Sequence, residues 1–386
     1  MFSSSPLVFW PKCRRESITS RKTSRSTTYA KCWAARLLTV DITVADPQIT
    51  VIIPNWNGRA FLPACLSSLT RQSVGDFAVL LVDNGSEDNS VTFVREHFPF
   101  VRCLTLPENR GFGAAVNAGI GACASPWLFL LNNDTEVEEH CLERLLAATK
   151  RYPEADFFAL KMLNFHDHAI LDGAGDAALR AGVGYRLGTM EQDRGQYDED
   201  RPVFGACAGA ALYSRRLFER IGLFDEDFFA YLEDVDLNFR ACRAGLSCRY
   251  LAGAVVYHIG SASSGAKISP LTVRLSTRNC FFVGAKNYSL PCLPRLLPAM
   301  LIYQITWLIL VIKKRQFIPW LQGLIKALSA LPRMRRKFRR DAALPDDEFV
   351  HQLTEAEHQV VASIMARRRQ EGKGNALLDL YQKIFL

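Results

Sequence analysis

Three short apolar runs, each ending abruptly in polar residues, constrain this chain most. They are "ITVIIPNWN" (Ile49 to Asn57), "FAVLLVDNGS" (Phe77 to Ser86) and "WLFLLNNDTEV" (Trp127 to Val137). A strand apolar on nearly every residue is buried on both faces, which requires a largely parallel sheet covered by helices. The intervening segments supply the helices. "RAFLPACLSSLTRQ" (Arg59 to Gln72) has helical spacing at Phe61, Cys65, Leu66 and Leu69, and "SVTFVREHF" follows the second run. "VRCLTLP" reads as a further strand, and "GFGAAVNAGIGACA" (Gly111 to Ala124) as a small-residue helix that packs closely. A helix from about Val137 to Arg151 closes the series. The expectation is an α/β fold, Rossmann-like, with right-handed crossovers.

In such sheets ligands bind beyond the carboxyl ends of the strands. Four polar clusters fall there: Asn55 to Asn57, Asp83 to Ser86, Asn109 to Asn117, and Asn132 to Asp134. Any one of them suits an ordinary turn. Four in succession point to a pocket.

The second half is less regular. Asp172 to Val203 is rich in Gly and Asp and reads as long loops, with a flexible lid as one reading. "FGACAGAALYS" (Phe204 to Ser214) reads as a small-residue strand. A helix is expected from about Glu233, with Leu237, Ala241 and Ala244 on one face and Asp236, Arg240 and Arg243 on another, ending at Gly245. Cys248 to His258 reads as a strand. "LLPAMLIYQITWLILVI" (Leu296 to Ile312) carries no charge and is followed by Lys313, Lys314 and Arg315. Three readings stay open: a helix lying in a membrane interface, a buried soluble helix, and a true span, which Pro298 and Gln304 weaken. The neighbouring basic blocks suit anionic lipid headgroups. "TEAE" (Thr354 to Glu357) reads as the capping box of a short exposed helix.

At 386 residues, 49% of them hydrophobic, the chain can bury a substantial core, and its net charge of +8 is unevenly spread. The first 45 or so residues are rich in Ser, Thr, Arg and Lys, which fits a transit peptide, a disordered basic tail or a start assigned too far upstream. Eleven cysteines form no C-x-x-C pair, and most sit in apolar runs. They read as reduced thiols of a cytoplasmic protein. The domain expectation is a disordered basic extension over 1–47, the α/β domain over 48–265, a hydrophobic and basic helical, membrane-associating region over 266–340, and a helical tail over 341–386.

The first strand–helix turn, "PNWNGRAF", lacks the Gly-rich dinucleotide fingerprint, so a dehydrogenase is not expected. The polar residues instead suit a nucleotide sugar. Asp83 can accept hydrogen bonds from a base or ribose. The Asn109 to Asn117 segment offers small residues and a helix start near phosphates. Asp134 can hold a divalent cation (Mg or Mn) bridging a diphosphate. In "YLEDVD" (Tyr231 to Asp236), Glu233 and Asp234 suit a general base, with the helix dipole keeping Asp234 ionised. They equally suit a plain helix start.

Taken together and in order, "VIIPNWNG", "LLVDNGSEDNS", "ENRGFGAAVNAGI", "LFLLNNDTEV", "GLFDEDFFAYLEDVDLNFRACRAG" and "AVVYHIGS" resemble the family 2 glycosyltransferases, most of all their rhamnosyltransferase-type branch. The resemblance covers about Ile49 to Tyr288. It implies a GT-A fold with a mostly parallel mixed sheet, and an inverting transfer by direct displacement from a nucleoside-diphosphate sugar, dTDP-rhamnose being the donor it suggests. By the resemblance, Pro54 and Asp83 contact the nucleotide, and Asn109, Gly111 and Asn117 match the following loop and helix; Asn55 and Asn57, in the first polar cluster, are expected on the donor side as well. Asn132 to Asp134 match the D-x-D metal motif, Asp234 the catalytic base, and His258 a histidine that ligates the metal in some members. Asn132 departs from the pattern, since many members have Asp there. That leaves Asp134 as the direct carboxylate ligand, assisted by Asn132 and Asn133, and makes His258 matter more. Asp172 to Gly175 and Gly205 to Gly209 resemble acceptor-side segments, which places Asp172 and Gly209 there. Trp56 suits either stacking on a base or sugar, or a core role. The expected partners are the donor, a glycan or polyprenyl-linked acceptor and an anionic membrane surface on the cytoplasmic side, with no nucleic acid. The competing readings are a two-carboxylate glycoside hydrolase, a non-catalytic nucleotide-sugar binder and a sugar nucleotidyltransferase.

Overall fold

The computed structural model describes residues 47–260, 268–338 and 343–385. The expected basic extension over 1–47 lies outside the described residues, apart from its last residue. The opening half follows the apolar runs closely. Strand β1 (Ile49–Asn55), helix α1 (Leu62–Thr70), strand β2 (Phe77–Asn84), helix α2 (Ser90–His97), strand β3 (Val101–Leu106), helix α3 (Phe112–Gly121) and strand β4 (Trp127–Leu131) alternate along the chain. β1 pairs in parallel with β2 on one side and β4 on the other, and β2 pairs in parallel with β3. The order β4-β1-β2-β3 therefore reverses direction at β1, and a crevice opens at the carboxyl ends of β1 and β4. Gly119 lets α3 sit close on this sheet, because a Cβ there would lie 2.6 Å from Ile52.

Beyond β4 the sheet becomes mixed. The expected helix start at Val137 is displaced: Thr135–Val137 form β5, and helix α4 spans Cys141–Arg151. β5 pairs antiparallel with residues 256–258, a partner too distant in sequence for local periodicity to reveal. β6 (Phe157–Asn164) follows, then β7 (Leu171–Ala174), β8 (Asp176–Leu179), β9 (Val183–Arg186) and β10 (Arg201–Val203). The expected loop region is thus short strands with buried residues up to Arg186, while 187–200 is turns and irregular chain as expected. β11 is confined to Ala210–Ser214, with Phe204 to Gly209 forming a loop rather than more strand, and it inserts antiparallel between β4 and β6. Helix α5 (Arg215–Ile221) ends at Gly222, helix α6 spans Glu233–Arg243 and β12 spans Cys248–His258, as the pattern predicts.

The C-terminal helices are α7 (Pro270–Asn287), α8 (Leu293–Lys313), α9 (Phe317–Arg335), α10 (Asp346–Gln370) and α11 (Ala376–Phe385). The "TEAE" segment lies inside α10, not at a helix start. Thr354 Oγ1 donates back to the Val350 carbonyl (2.8 Å), and Ala356 and Glu357 are buried. One apolar cluster, including Phe228, Phe239, Tyr288, Phe349 and Leu353, joins α6, α7 and α10.

The polar face of α6 is also buried. Asp236 is fully buried and accepts from Arg240 Nε (2.9 Å), Lys286 Nζ (2.7 Å) and Asn287 Nδ2 (3.0 Å). Those cations hold its carboxyl below the ordinary value despite burial, which acts the other way. The network ties α6 to α7. Asp236→Ala removes the carboxylate shared by Arg240 and Lys286, which keep the Ile221 carbonyl and Asp225 respectively, and is expected to cost about 1 to 3 kcal/mol. Thermal melting checks this, and a melting temperature within a degree of the parent would contradict it.

Candidate active site

The strand ends meet through one amide. Asn55 Nδ2 donates to Asp83 Oδ1 (3.0 Å) and to Ser86 Oγ (3.2 Å), while Asn55 Oδ1 accepts from Asn133 Nδ2 (2.7 Å). Asp83 Oδ2 accepts from the Ser86 N–H (3.0 Å). The ends of β2, β1 and β4 are thereby fixed together. Gly58 is required beside this knot, since a Cβ there would lie 1.9 Å from the Asn133 amide nitrogen.

A cavity of about 480 Å³ opens over the knot. Of the expected donor residues, Pro54, Asn55, Asn109, Gly111, Asn132 and Asn133 line it, together with Trp56, Asp134, Gly209, Glu233, Asp234 and His258. Three expected donor residues lie elsewhere. Asp83 sits beneath the lining with both oxygens engaged. Asn57, with φ of 50°, uses its side chain to accept from the Glu87 N–H (2.8 Å). Asn117 clamps a neighbouring segment, donating to Phe224 O (2.9 Å) and accepting from Phe224 N–H (3.0 Å). Trp56 is exposed at the mouth, which removes its core reading.

Gly111 begins α3 with φ of 90°, and a Cβ there would lie 2.2 Å from the Phe229 carbonyl oxygen. The Phe112 N–H donates to that oxygen (2.7 Å). This contact places the turn that presents Glu233 and Asp234. Phe229, Tyr231 and Leu232 all have positive φ (65°, 68° and 64°), a conformation that costs bulky residues about 1 to 3 kcal/mol each. Asn279 on α7 holds them: its Nδ2 faces the carbonyls of Phe228 (3.1 Å), Ala230 (2.9 Å) and Tyr231 (2.6 Å). Arg278 adds bonds to the carbonyls of Asp227 (3.1 Å) and Phe228 (2.6 Å).

Asp234 accepts from the N–H groups of Ala208 (3.3 Å) and Val235 (2.8 Å). Burial pushes its carboxyl up from the ordinary value, against the pull of those donors and of Arg186. The expectation that the helix dipole dominates is therefore corrected: desolvation wins. Glu233 is pushed up to about 8, by burial first and then by the charge of Asp234, and its Oε2 is buried without a hydrogen-bond partner. Glu233 lacks the Ala208 and Val235 donors that oppose the rise at Asp234, so burial and the neighbouring charge push it up with less opposition.

A second cavity of about 350 Å³ adjoins the first and shares Arg186, Cys207, Asp234 and His258 with it. Asp172 lines it, as do Asp176, Tyr185 and Thr189. Asp172 sits behind the imidazole: its Oδ2 meets His258 Nδ1 at 2.7 Å and also receives Arg186 Nη1. Arg186 Nη2 donates to Cys207 Sγ (2.8 Å). Asp176 is buried, pushed up to about 7 chiefly by burial, and its Oδ1 is without a partner. Sequence reasoning missed Arg186, Asp176 and Asn279. An arginine inside the small-residue run "GVGYRLG" was the one available signal.

The model of the family "Glycosyl transferase family 2" matches residues 50–222. The N-acetylglucosaminyl-diphospho-decaprenol L-rhamnosyltransferase of Mycobacterium tuberculosis is 29% identical over 240 residues, covering 56% of this chain and 78% of that one. The PGL/p-HBAD biosynthesis glycosyltransferase of Mycobacterium bovis is 30% identical over 215 residues, covering 54% and 75%. The chain belongs to glycosyltransferase family 2. Within it, this glycosyltransferase resembles the rhamnosyltransferases. Among solved structures, S. aureus TarS superposes with a TM-score of 0.50 at 17% identity over 84% of this chain, a likeness of GT-A fold alone. The chain spans 55% of the length of that TarS chain.

Two residues expected to hold a divalent cation come together in this family 2 enzyme. Asp134 Oδ1 and His258 Nε2 face each other at 3.5 Å, both buried, at the edge of the larger cavity. Among the described residues no group of three or more His, Cys, Asp and Glu could hold a metal by itself. A cation here would therefore complete its shell with diphosphate oxygens and water, as magnesium commonly does. Asp172 fixes the His258 ring so that Nε2 points at Asp134. Burial disfavours the charged ring, but the bonds to Asp134 and Asp172 outweigh it and raise its pKa. A cation would have to displace that proton.

Two outcomes are expected. Because Glu233 rises from an ordinary 4.5 to about 8 on folding, the folded state favours its protonated form. That contribution is complete below pH 4.5 and is lost as pH rises through 8. Glu233→Gln should therefore melt like the parent in acid and at a higher temperature near pH 8, and an equal gain at every pH would contradict this. Asn279→Ala should release the turn and lower kcat about tenfold to a hundredfold, with far-UV circular dichroism unchanged. Parental kcat would show that the turn holds without it.

Proposed function

We propose that the enzyme inverts configuration in moving a sugar, with dTDP-rhamnose the first donor to try, from a nucleoside diphosphate to a hydroxyl of a glycan or polyprenyl-linked acceptor. The observation that carries this is the meeting of two cavities at one carboxylate, since Asp234 borders both; in this reading the larger takes the nucleotide sugar and the smaller the acceptor. Of the relatives, one is named for a decaprenol-linked substrate and L-rhamnose. That name supports the donor and acceptor classes proposed here; an anionic membrane surface on the cytoplasmic face is proposed as a further partner.

In the reaction the acceptor hydroxyl attacks the anomeric carbon from the side of Asp234. The new carbon–oxygen bond forms as the bond to the diphosphate breaks, and the hydroxyl proton passes to Asp234. A raised carboxyl pKa suits this transfer, since it brings the base nearer the working pH. Asp134 and His258 would hold the cation, which when bound neutralises charge on the departing diphosphate. Arg186 keeps Asp172, and through it His258, in place. Asp176 lies in the smaller cavity, suited to a hydrogen bond with an acceptor hydroxyl. Trp56 offers a ring face at the donor mouth.

A screen of nucleoside-diphosphate sugars, read by nucleoside-diphosphate release with magnesium, manganese or chelator, tests the reading. Asp134→Ala should abolish metal-dependent release. Asp234→Asn should lose turnover, by about a hundredfold or more, while still binding donor. Full activity in Asp234→Asn, or turnover indifferent to chelator, would overturn the assignment.

A further inference from the structure

We infer that α8 and α9 form a hairpin that lies flat in the surface of an anionic bilayer and does not cross it. This deepens the membrane part of the proposed function, but the docking itself stands on the hairpin alone. α8 is long and apolar enough to span, yet only 17% of its most apolar window is buried, so it is not a core helix. Its exposed residues fall at helical spacing: Leu297, Leu301, Ile305, Ile309 and Ile312. On α9, Ile318, Leu321, Ile325 and Leu328 repeat the pattern. Each helix thus carries an aliphatic stripe on its exposed side.

The other faces are fastened to α7. Trp307 Nε1, mid-helix in α8, donates to Thr277 Oγ1 (2.9 Å), and Gln304 Nε2 lies 3.4 Å from Cys280 Sγ. Gly323 brings α9 so close that a Cβ would lie 2.4 Å from the Arg274 carbonyl oxygen. A spanning α8 would have to break its mid-helix bonds. It would also carry Lys313, Lys314 and Arg315, exposed at the hairpin tip, through hydrocarbon at about 2.5 to 3.5 kcal/mol each. Lying flat keeps both sets of interactions.

Charge selects the occupant. From Leu237 to Arg340 the sequence has no Asp or Glu. Lys313, Lys314 and Arg315 at the tip and Lys326 beside Ile325 are exposed next to the stripes. A second copy docked on this face would set cations against cations with no acid on either hairpin. Anionic headgroups above acyl chains match both the cations and the stripes. The surface also flanks the site: Leu271 and Ser276, on the same α7, line the larger cavity. A polyprenyl-linked acceptor held in the bilayer would then reach the cavity along α7, a consequence that does rest on the proposed reaction.

Flotation of the full chain tests the docking, with vesicles of phosphatidylcholine alone and of an equimolar mixture with phosphatidylglycerol. The protein should float with the anionic vesicles, more weakly at high salt, and be released by alkaline carbonate. The triple variant Leu301→Glu, Ile305→Glu, Ile325→Glu should stay unbound while keeping its melting temperature. Replacing Lys313, Lys314 and Arg315 with Gln should weaken binding about fivefold per cation, or about 1 kcal/mol each. Three results would each overturn the inference: no flotation of the parent chain, unchanged flotation of the Glu variant, or resistance to carbonate extraction, which marks a span. A dimer dispersed by the Glu substitutions would assign the face to a second copy instead. Nucleoside-diphosphate release by the same variants in vesicle-free solution reports the chemistry separately, so a failed docking and a failed reaction are told apart.

Discussion

The site depends on a turn that the chain would not adopt unaided. Phe229, Tyr231 and Leu232 are bulky residues in left-handed or strained backbone, directly before the helix that presents Glu233 and Asp234. Two neighbours hold them there. Gly111 allows the start of α3 to touch the Phe229 backbone, and the Asn279 amide faces three successive carbonyl groups of the turn. Neither contact is hydrophobic. Each satisfies main-chain groups that a turn of this shape leaves without partners. The donor-side helix and the C-terminal helices thus fix the same few residues, and the candidate base is positioned from both sides.

The electrostatics follow the same economy. Asp172, Asp176 and Asp234 all act on one cation, Arg186, and raise its pKa although burial opposes this. A single guanidinium cannot hold three buried carboxylates fully ionised, so the carboxyl groups separate by environment. Asp172 has the guanidinium and the imidazole directly. Asp234 has two backbone donors. Asp176 and Glu233 each keep an oxygen with no partner, and they are the two with values pushed to about 7 and about 8. These two border the candidate base Asp234, and perturbed carboxyl groups of this kind commonly cluster at catalytic sites.

Much of the first half was legible because its signals are local. Continuous apolar runs gave the parallel strands nearly to the residue, and the polar ends gave the crevice. The rest was hidden for a definite reason. β5 exists only because it pairs with β12, more than a hundred residues away. The 172–203 region lacks periodicity since its strands are short: β7 and β10 pair with β6 and β12 outside it, while β8 and β9 pair with each other. Asp83 and Asn133 read as ligand contacts because their type and place suit that role. The Asn55 side chain engages both of them, leaving Asp83 beneath the cavity and Asn133 in its lining, a role no spacing rule encodes. That also explains the neutral amide at Asn133. Asn133 ties strands together, where a carboxylate would face the oxygen of Asn55 and the charge of Asp83.

α7 links these levels. Its first turns border the larger cavity, Asn279 holds the strained turn, Lys286 and Asn287 anchor α6 through Asp236, and Thr277 and Cys280 receive the hairpin. One helix therefore carries load from the proposed membrane surface to the candidate base. The turn before Asp234, with positive φ at Phe229, Tyr231 and Leu232, is held by the same helix that receives the hairpin.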